Sequence, residues 1–379
     1  MAKRAVFYKG RRKKRNYAII PTIIITAVVA VTLVLFYGMQ KYAVITKDGV
    51  SVELPILQEG KTMIDSSGHE VRIFDPVEVQ LIYDEPDYSY IKAQTGDNVP
   101  ELRAIFVPAE NLTRDKLQEY AARLSLGNAL VLEMKPRAGN LMWDCRAPEA
   151  LNYGLSMVTE QTAQLPQLIA ELSEKDIYLV AQISCCLDEL YASRSTTITL
   201  RRADNNANYI DQYGTWLDPY NLSLRNYVIE MVKELYQLGF DEVVLADVAH
   251  PAPAEGEQAP QLLYTRELST APSAATAVGG FAINVARALE DRDGLLSIYV
   301  DTKPALVRTD TNGQDAQLFL KLFDRVFLRT DKYSYSYNVE DIRYNVEKGN
   351  VYDRLVPVVE NYLPDNSSWV LIDVEEDTD

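Results

Sequence analysis

From Leu102 onward, eight short apolar runs alternate with segments of helical periodicity, and this alternation limits the fold more than any other feature. The runs are Leu102–Val107, Ala129–Met134, Ile177–Ile183, Glu242–Asp247, Leu295–Asp301, Arg325–Leu328, Leu355–Val359 and Trp369–Asp373. They are β-branched and apolar on both faces, the pattern of parallel strands covered from two sides. Thr113 can cap a helix carrying Leu117, Tyr120, Ala121 and Leu124 on one face, with Gly127 to stop it. Leu224, Val228, Met231, Val232, Leu235 and Leu238 form a second stripe, ended by Gly239. Further helices are expected over Thr159–Ser173, Ala274–Arg287 and Asp315–Leu322, with a weaker pattern over Val339–Lys348. Eight strands with helical crossovers suit an α/β fold of the (β/α)₈ TIM-barrel class over residues 101–375. An open doubly wound sheet is the alternative. The first run leads into Pro108-Ala109-Glu110-Asn111, without the glycine-rich turn that cradles a dinucleotide, and there is no phosphate-binding loop.

The amino terminus bears on the compartment. Residues 1–36 carry eight basic side chains and no acids, leaving the remainder with 30 basic against 54 acidic groups, a net of -24. A body that acidic gains nothing from bulk electrostatics toward nucleic acid or anionic cell-wall polymers, so no nucleic-acid partner is expected. Residues 1–16 form a basic cytoplasmic tail, and the uncharged apolar stretch 17–37 is long enough for a transmembrane helix. Basic residues before the span place everything after it outside the cytoplasm. The expectation is a single-pass cell-membrane protein with an extracytoplasmic carboxyl-terminal domain. A cleaved signal peptide would have a shorter apolar core and a small-x-small site, and Tyr37-Gly38-Met39-Gln40-Lys41-Tyr42 offers none.

Residues 38–100 read as a stalk or small β-rich module. Short stretches such as 43–46 and 77–83 alternate with turn signals at 47–49, 66–68 and 84–87. Cys145, Cys185 and Cys186 are too few for a disulfide framework and read as small buried or loop thiols. With only His69 and His250, and no Asp-x-Asp-x-Asp-Gly loop, neither a metal nor a cofactor is expected.

Barrel chemistry gathers at the carboxyl ends of the strands. Those ends offer Glu110, Glu133, Lys135, Gln182, Ser184, Asp247, Asp301, Lys303, Arg329, Asp331, Glu360, Asn361, Asp373 and Glu375. The ring is rich in carboxylates. The loop over 187–222 adds Tyr209, Tyr213, Trp216 and Tyr220, in a chain with 24 Tyr against 9 Phe. Rings with a polar edge can stack on sugars while the hydroxyl hydrogen-bonds.

Trp216-Leu217-Asp218-Pro219-Tyr220-Asn221, one helix, and then Leu238-Gly239-Phe240-Asp241-Glu242-Val243-Val244 resemble a family of bacterial glycosyl-hydrolase-like proteins. That family is often membrane-anchored and has an α-amylase-like barrel. Its pattern reads Trp-Val-Asp-Pro-Tyr-Asn, then Leu-Gly-Phe-Asp-Glu-Ile-Gln-Phe-Asp-Tyr-Val-Arg-Phe-Pro. Looser similarity runs through Ala129–Lys135 and Ile298–Asp301. The resemblance implies a glycoside hydrolase acting on a polysaccharide or cell-wall glycan. Asp301, Asp247 and Glu133 become the catalytic candidates. Lys135, Gln182, Tyr213, Trp216, Asp218, Tyr220, Asn221 and Glu360 become the substrate-binding ones. Departures from the pattern place Ala246 where relatives carry a fourth-strand Asp, Ala249 where an Arg follows, and Gln182 where another Arg is expected. Asp247 falls one residue late, and strand alternation would turn it away unless a bulge preceded it. The alternative is therefore a catalytically inactive barrel, serving as a glycan-binding or cell-envelope scaffold protein.

Overall fold

The computed structural model describes residues 43–46, 49–52, 61–64, 70–73, 99–124, 127–156, 159–252, 261–265, 273–301, 312–330, 354–360 and 367–372. The first four stretches, Gln161 and Asp301 are described as backbone alone. The chain divides into two compact units, Met1–Gln80 and Leu81–Asp379. In the first, Ala43–Thr46 pairs antiparallel with Gly49–Val52, and Lys61–Ile64 with Glu70–Ile73, flanking two of the expected turns. The basic tail 1–16, the apolar stretch 17–37 and the stretch 77–83 lie outside the described residues. Among the described residues no helix is long and apolar enough to cross a membrane.

The second unit contains a closed barrel of eight parallel strands, hydrogen-bonded in chain order around the ring. They are β1 (Arg103–Val107), β2 (Ala129–Lys135), β3 (Tyr178–Ser184), β4 (Glu242–Ala246), β5 (Leu295–Asp301), β6 (Val326–Arg329), β7 (Leu355–Glu360) and β8 (Trp369–Ile372). Closure comes from β8 pairing with β1. Alternation sorts each strand's side chains into two layers. Ala104, Val131, Val180, Val244, Phe327 and Val356 fill the barrel, whereas Leu130, Leu132, Ile183, Leu245 and Ile298 face the helices.

Those helices are α1 (Arg114–Ala122), α2 (Pro148–Tyr153), α3 (Glu160–Ser173), α4 (Glu189–Arg194), α5 (Leu222–Gln237), α6 (Ala274–Ala288) and α7 (Ala316–Leu322). Their starts follow from side chains that accept orphaned amides: Thr113 for α1, Thr159 for α3, Asn221 for α5, Ser273 for α6 and Asp315 for α7. Helix α5 buries Leu224, Val228, Met231, Val232 and Leu235. Each contributes about 1.5–3 kcal/mol by leaving water. Gly239 follows it in the left-handed region (φ 102°), which glycine enters without steric cost. Helix α1 stops at Ala122, short of Gly127. The expected helix over 339–348 lies outside the described residues.

The amino-terminal end of the barrel is filled by a polar cluster. Glu242, fully buried at the start of β4, accepts from Ser297 Oγ (2.5 Å) and Tyr178 OH (3.1 Å) and lies 3.4 Å from Arg325 Nε. Burial pushes its pKa up, against the pull of Arg325 and the two hydroxyls. Arg325 also donates both terminal nitrogens to the Pro100 carbonyl, at 2.9 and 2.8 Å. The three described cysteines are buried and free.

Candidate functional site

At the opposite end, where the carboxyl termini of the strands emerge, a cavity of about 420 Å³ opens among all eight strands. Its floor is Phe106, Val131, Phe327, Val358 and Val370, with Tyr299 beside them. Its polar wall comes from β2, β3 and β4 and the residues just beyond them: Glu133, Lys135, Arg137, Gln182, Ser184 and Asp247.

Glu133 points inward from β2, and its Oε2 accepts the Ala109 backbone N–H at 3.1 Å. Burial raises its pKa. The Ala109 amide works against that shift, the Glu110 and Asp247 charges add to it, and Arg137 opposes it. After Glu133 the β2–β3 register shifts, so that Lys135 sits opposite Ile183. Such a bulge re-aims side chains next to a cavity.

Asp247 follows the last residue of β4 and has φ 54°. Aspartate is among the few side chains that enter the left-handed region readily. This corrects the sequence expectation: the β3–β4 register runs unbroken through Ala246, and a left-handed residue brings Asp247 to the cavity without a bulge. Ala246 lines the cavity as well. The Asp247 carboxylate is gripped by Arg137, whose Nε lies 3.0 and 3.1 Å from its oxygens and Nη2 2.6 Å from Oδ1. Ser184 Oγ adds a contact of 2.6 Å to Oδ2. Bidentate guanidinium–carboxylate pairs fix direction as well as charge.

Arg137 is itself held from behind. Its carbonyl accepts the Glu189 N–H (3.1 Å), and the Ala138 carbonyl accepts that of Leu190 (3.1 Å), docking the loop on the start of α4. Gly139 has φ 88°, and a Cβ there would fall 2.0 Å from Asp188 Oδ1. Only glycine lets the loop pass. Beneath it, Lys135 Nζ donates to the Ser184 carbonyl (2.7 Å) and lies 2.9 Å from Asp188 Oδ2, an ion pair without an aligned hydrogen bond. Lys135 is 1% exposed, so although it borders the cavity its charge is spent on Asp188. Above Arg137, 5.5 Å from its guanidinium, lies the Tyr213 ring, half exposed at the turn between Ile210–Asp211 and Gly214–Thr215.

Of the sequence candidates, Glu133, Asp247, Lys135 and Gln182 meet in the cavity, and Tyr213 covers one edge of the group through Arg137. Asp301 ends β5 with its backbone opposite Arg329, and its side chain lies outside the described residues. The block from Trp216 to Asn221 is elsewhere. Trp216 is buried in the outer core and donates Nε1 to Asp211 (2.8 Å). Asp218 is fully buried and accepts from the Tyr220 amide and from the amide and hydroxyl of Thr265 at 2.6–2.8 Å. Asn221 caps α5, and Tyr220 packs edge-on against Tyr264. Asp218, Tyr220 and Asn221 stitch two loops together, and none of the four lines the cavity. Glu360 pairs with Arg329 and is exposed, outside the lining. Arg137 was absent from the sequence candidates. Its only sequence signal is its position in the loop after a barrel strand. Among the described residues no group of His, Cys, Asp or Glu could hold a metal ion.

The arrangement supplies two carboxyl groups in unlike surroundings. Glu133 is biased toward its protonated form by burial, and Asp247 is engaged by a guanidinium and a hydroxyl. Carboxyls in contrasting environments are how one site provides both an acid and a charged partner.

A family model described as "Putative glycosyl hydrolase domain" matches residues 104–328, more than half of the chain. No curated protein matches it. Among solved structures, the PgaB (BpsB) glycoside hydrolase domain from Bordetella bronchiseptica is similar at 12% identity and a TM-score of 0.50, covering 72% of this chain and 94% of that one. That likeness shows the barrel fold. A hypothetical protein from Ruminiclostridium thermocellum matches at 20% identity and a TM-score of 0.41, covering 51% of this chain and 96% of that one. A chitinase from Chromobacterium violaceum matches at 9% identity and 0.39, over 68% of each chain. The last two carry no argument at those scores.

Proposed function

The chain belongs to the glycosyl hydrolase domain family, and from that premise we propose that its barrel binds a polysaccharide or cell-envelope glycan and hydrolyses glycosidic bonds. The observation that carries the reading is the meeting of Glu133 and Asp247 in one cavity at the strand ends. Glycosidic cleavage uses two carboxyl groups flanking the bond. Glu133 donates its proton to the leaving oxygen. Asp247, fixed by Arg137 and Ser184, faces the charge that develops on the sugar. Asp301, at the end of β5, is the third candidate and takes the nucleophile or base role where Asp247 remains bound to its arginine. The apolar floor and Tyr299 seat the ring.

The test is release of reducing ends from a panel of polysaccharides. Glu133→Gln should lower kcat by roughly 10²–10⁴-fold, the span of general acid catalysis, with KM little changed. Activity in the unsubstituted protein should fall as pH rises past the raised Glu133 pKa, because the acid then loses its proton. Full activity in Glu133→Gln would sink the assignment.

A second reading has its own support. Asp247 is already committed to Arg137 and Ser184, and Ala246 offers no carboxylate beside it. On this reading the barrel retains glycan without cutting it, as a binding or scaffold protein. Retention on a glycan affinity gel with no reducing ends released would favour it. In either case the uncharged stretch 17–37 anchors the chain in the cell membrane with the barrel outside, supported by the basic cluster before it.

A further inference from the structure

Each cation that lines the cavity is paired with a carboxylate of the protein: Lys135 with Asp188, Arg137 with Asp247 and Arg329 with Glu360. The Ser184 hydroxyl is held between the Leu187 carbonyl and Asp247. Two polar groups on the wall stand apart from these pairs. Among the described residues the half-buried Gln182 carboxamide has no hydrogen-bond partner. Glu133 takes the Ala109 amide on Oε2 and leaves Oε1 unengaged.

These two groups are neighbours. Gln182 lies opposite Glu133 in the β2–β3 register and opposite Val244 in the β3–β4 register. Adjacent strands are about 4.8 Å apart, so the carboxamide and the free carboxyl oxygen open on the same patch of cavity. On β4 the inward residues beside Gln182 are Val244 and Ala246, which offer it nothing polar. In the ring, β3 stands between β2, which carries Glu133, and β4, which leads into Asp247. Gln182 therefore sits between the two carboxyl groups that would flank a glycosidic bond, above the apolar floor.

A carboxamide offers two N–H donors and an acceptor oxygen, and it carries no charge. A sugar hydroxyl both donates and accepts, so it can meet either end. A ligand filling the cavity takes Gln182 out of water, and the amide must then find its partners on the ligand. An anionic group set here would face cations that already hold carboxylates, with Glu133 and Asp247 close by. Burying a charge without a partner is costly. We propose that Gln182 is the specificity-determining residue of the cavity, its carboxamide binding a hydroxyl of an uncharged sugar unit seated between Glu133 and Asp247. The proposal rests on the glycan reading of the cavity and names the substrate class, a neutral glycan.

The experiment is retention of the full-length protein, in mild detergent, on an array of neutral, carboxylated and sulfated glycans and glycans bearing free amino groups. The unsubstituted protein is compared with Gln182→Met, which keeps the side-chain length and removes the hydrogen bonds. Neutral glycans should be retained in preference to the charged ones. Gln182→Met should weaken that retention roughly 5–150-fold, the range for a buried polar group left without its partner. Its urea unfolding midpoint should not fall, because Gln182 has no hydrogen bond to lose in the free protein. Gln182→Glu, which adds a carboxyl beside Glu133, should turn the preference toward the amino-bearing glycans. Neutral-glycan retention that Gln182→Met leaves intact, a preference for any charged class in the unsubstituted protein, or an unchanged preference in Gln182→Glu would each overturn the proposal and leave the glycan reading standing. A lowered midpoint alongside the lost retention would assign Gln182 a structural role and overturn it likewise. No retention of any glycan would overturn both.

Discussion

Residues that the sequence presents as equals have different tasks in the fold. Lys135 and Arg137 stand two apart after the same strand, yet one is sealed and the other half open. The sealed one governs stability. Removing one member of a buried ion pair strands the other charge, at a cost of about 3–5 kcal/mol. Lys135→Ala should lower the unfolding free energy by that amount in urea titrations, because Asp188 remains at 0% exposure without its counter-charge. A loss below about 1 kcal/mol would show that water or a rearranged neighbour reaches Asp188. The pairing of Arg137 with Asp247 could not have been read from the chain. The partners are 110 residues apart, and neither local periodicity nor spacing marks them. Asp247 itself was legible as a strand-end acid. Its direction was not, because that depends on one dihedral angle, φ 54°.

Elements were legible in proportion to their length. The strands and long helices announced themselves by two-sided apolar runs, 3.6-residue stripes and capping side chains, and the observed bounds differ from expectation by a residue or two. The six-residue helices α2 and α4 are too short to show a period, and neither they nor the hairpin carrying Tyr213 was expected. The resemblance marks the block from Trp216 to Asn221 without placing it: Asp218, Tyr220 and Asn221 tie the loop after β3 to the loop after β4, away from the cavity. A tie within the loop after β4 responds to pH. Pro251 O can only accept, so His250 Nδ1 carries the proton (3.1 Å), and Nε2 accepts from Tyr264 OH (2.9 Å). Burial lowers the His250 pKa from 6.5 to about 4. A depressed value means that the neutral ring's stabilisation is full above pH 6.5 and is lost as pH falls toward 4. Wild type should therefore lose roughly 2–3 kcal/mol more than His250→Phe between pH 7 and 4.5, measured by urea unfolding. Parallel losses in both proteins would remove His250 from the acid response.

For the whole molecule, the closed ring of eight strands was the most legible feature, because both layers it requires are written into every strand. The proposed membrane anchor is testable at the same scale. Deleting residues 1–37 should move the protein from the membrane pellet to the soluble fraction with its barrel still folded, and a pellet-bound truncated chain would argue against the anchor. The polar cluster at the base of the barrel has a mechanical consequence. Arg325 clasps the Pro100 carbonyl from within the ring, Ser368 Oγ accepts the Leu102 amide, and Asn128 holds both Glu101 and Arg103. A tug arriving along the chain that leads into β1 would be shared among β2, β6 and β8 before it could peel β1 from its neighbours. The end at which the chain enters the barrel is thus the reinforced one, and it lies at the far side of the ring from the cavity.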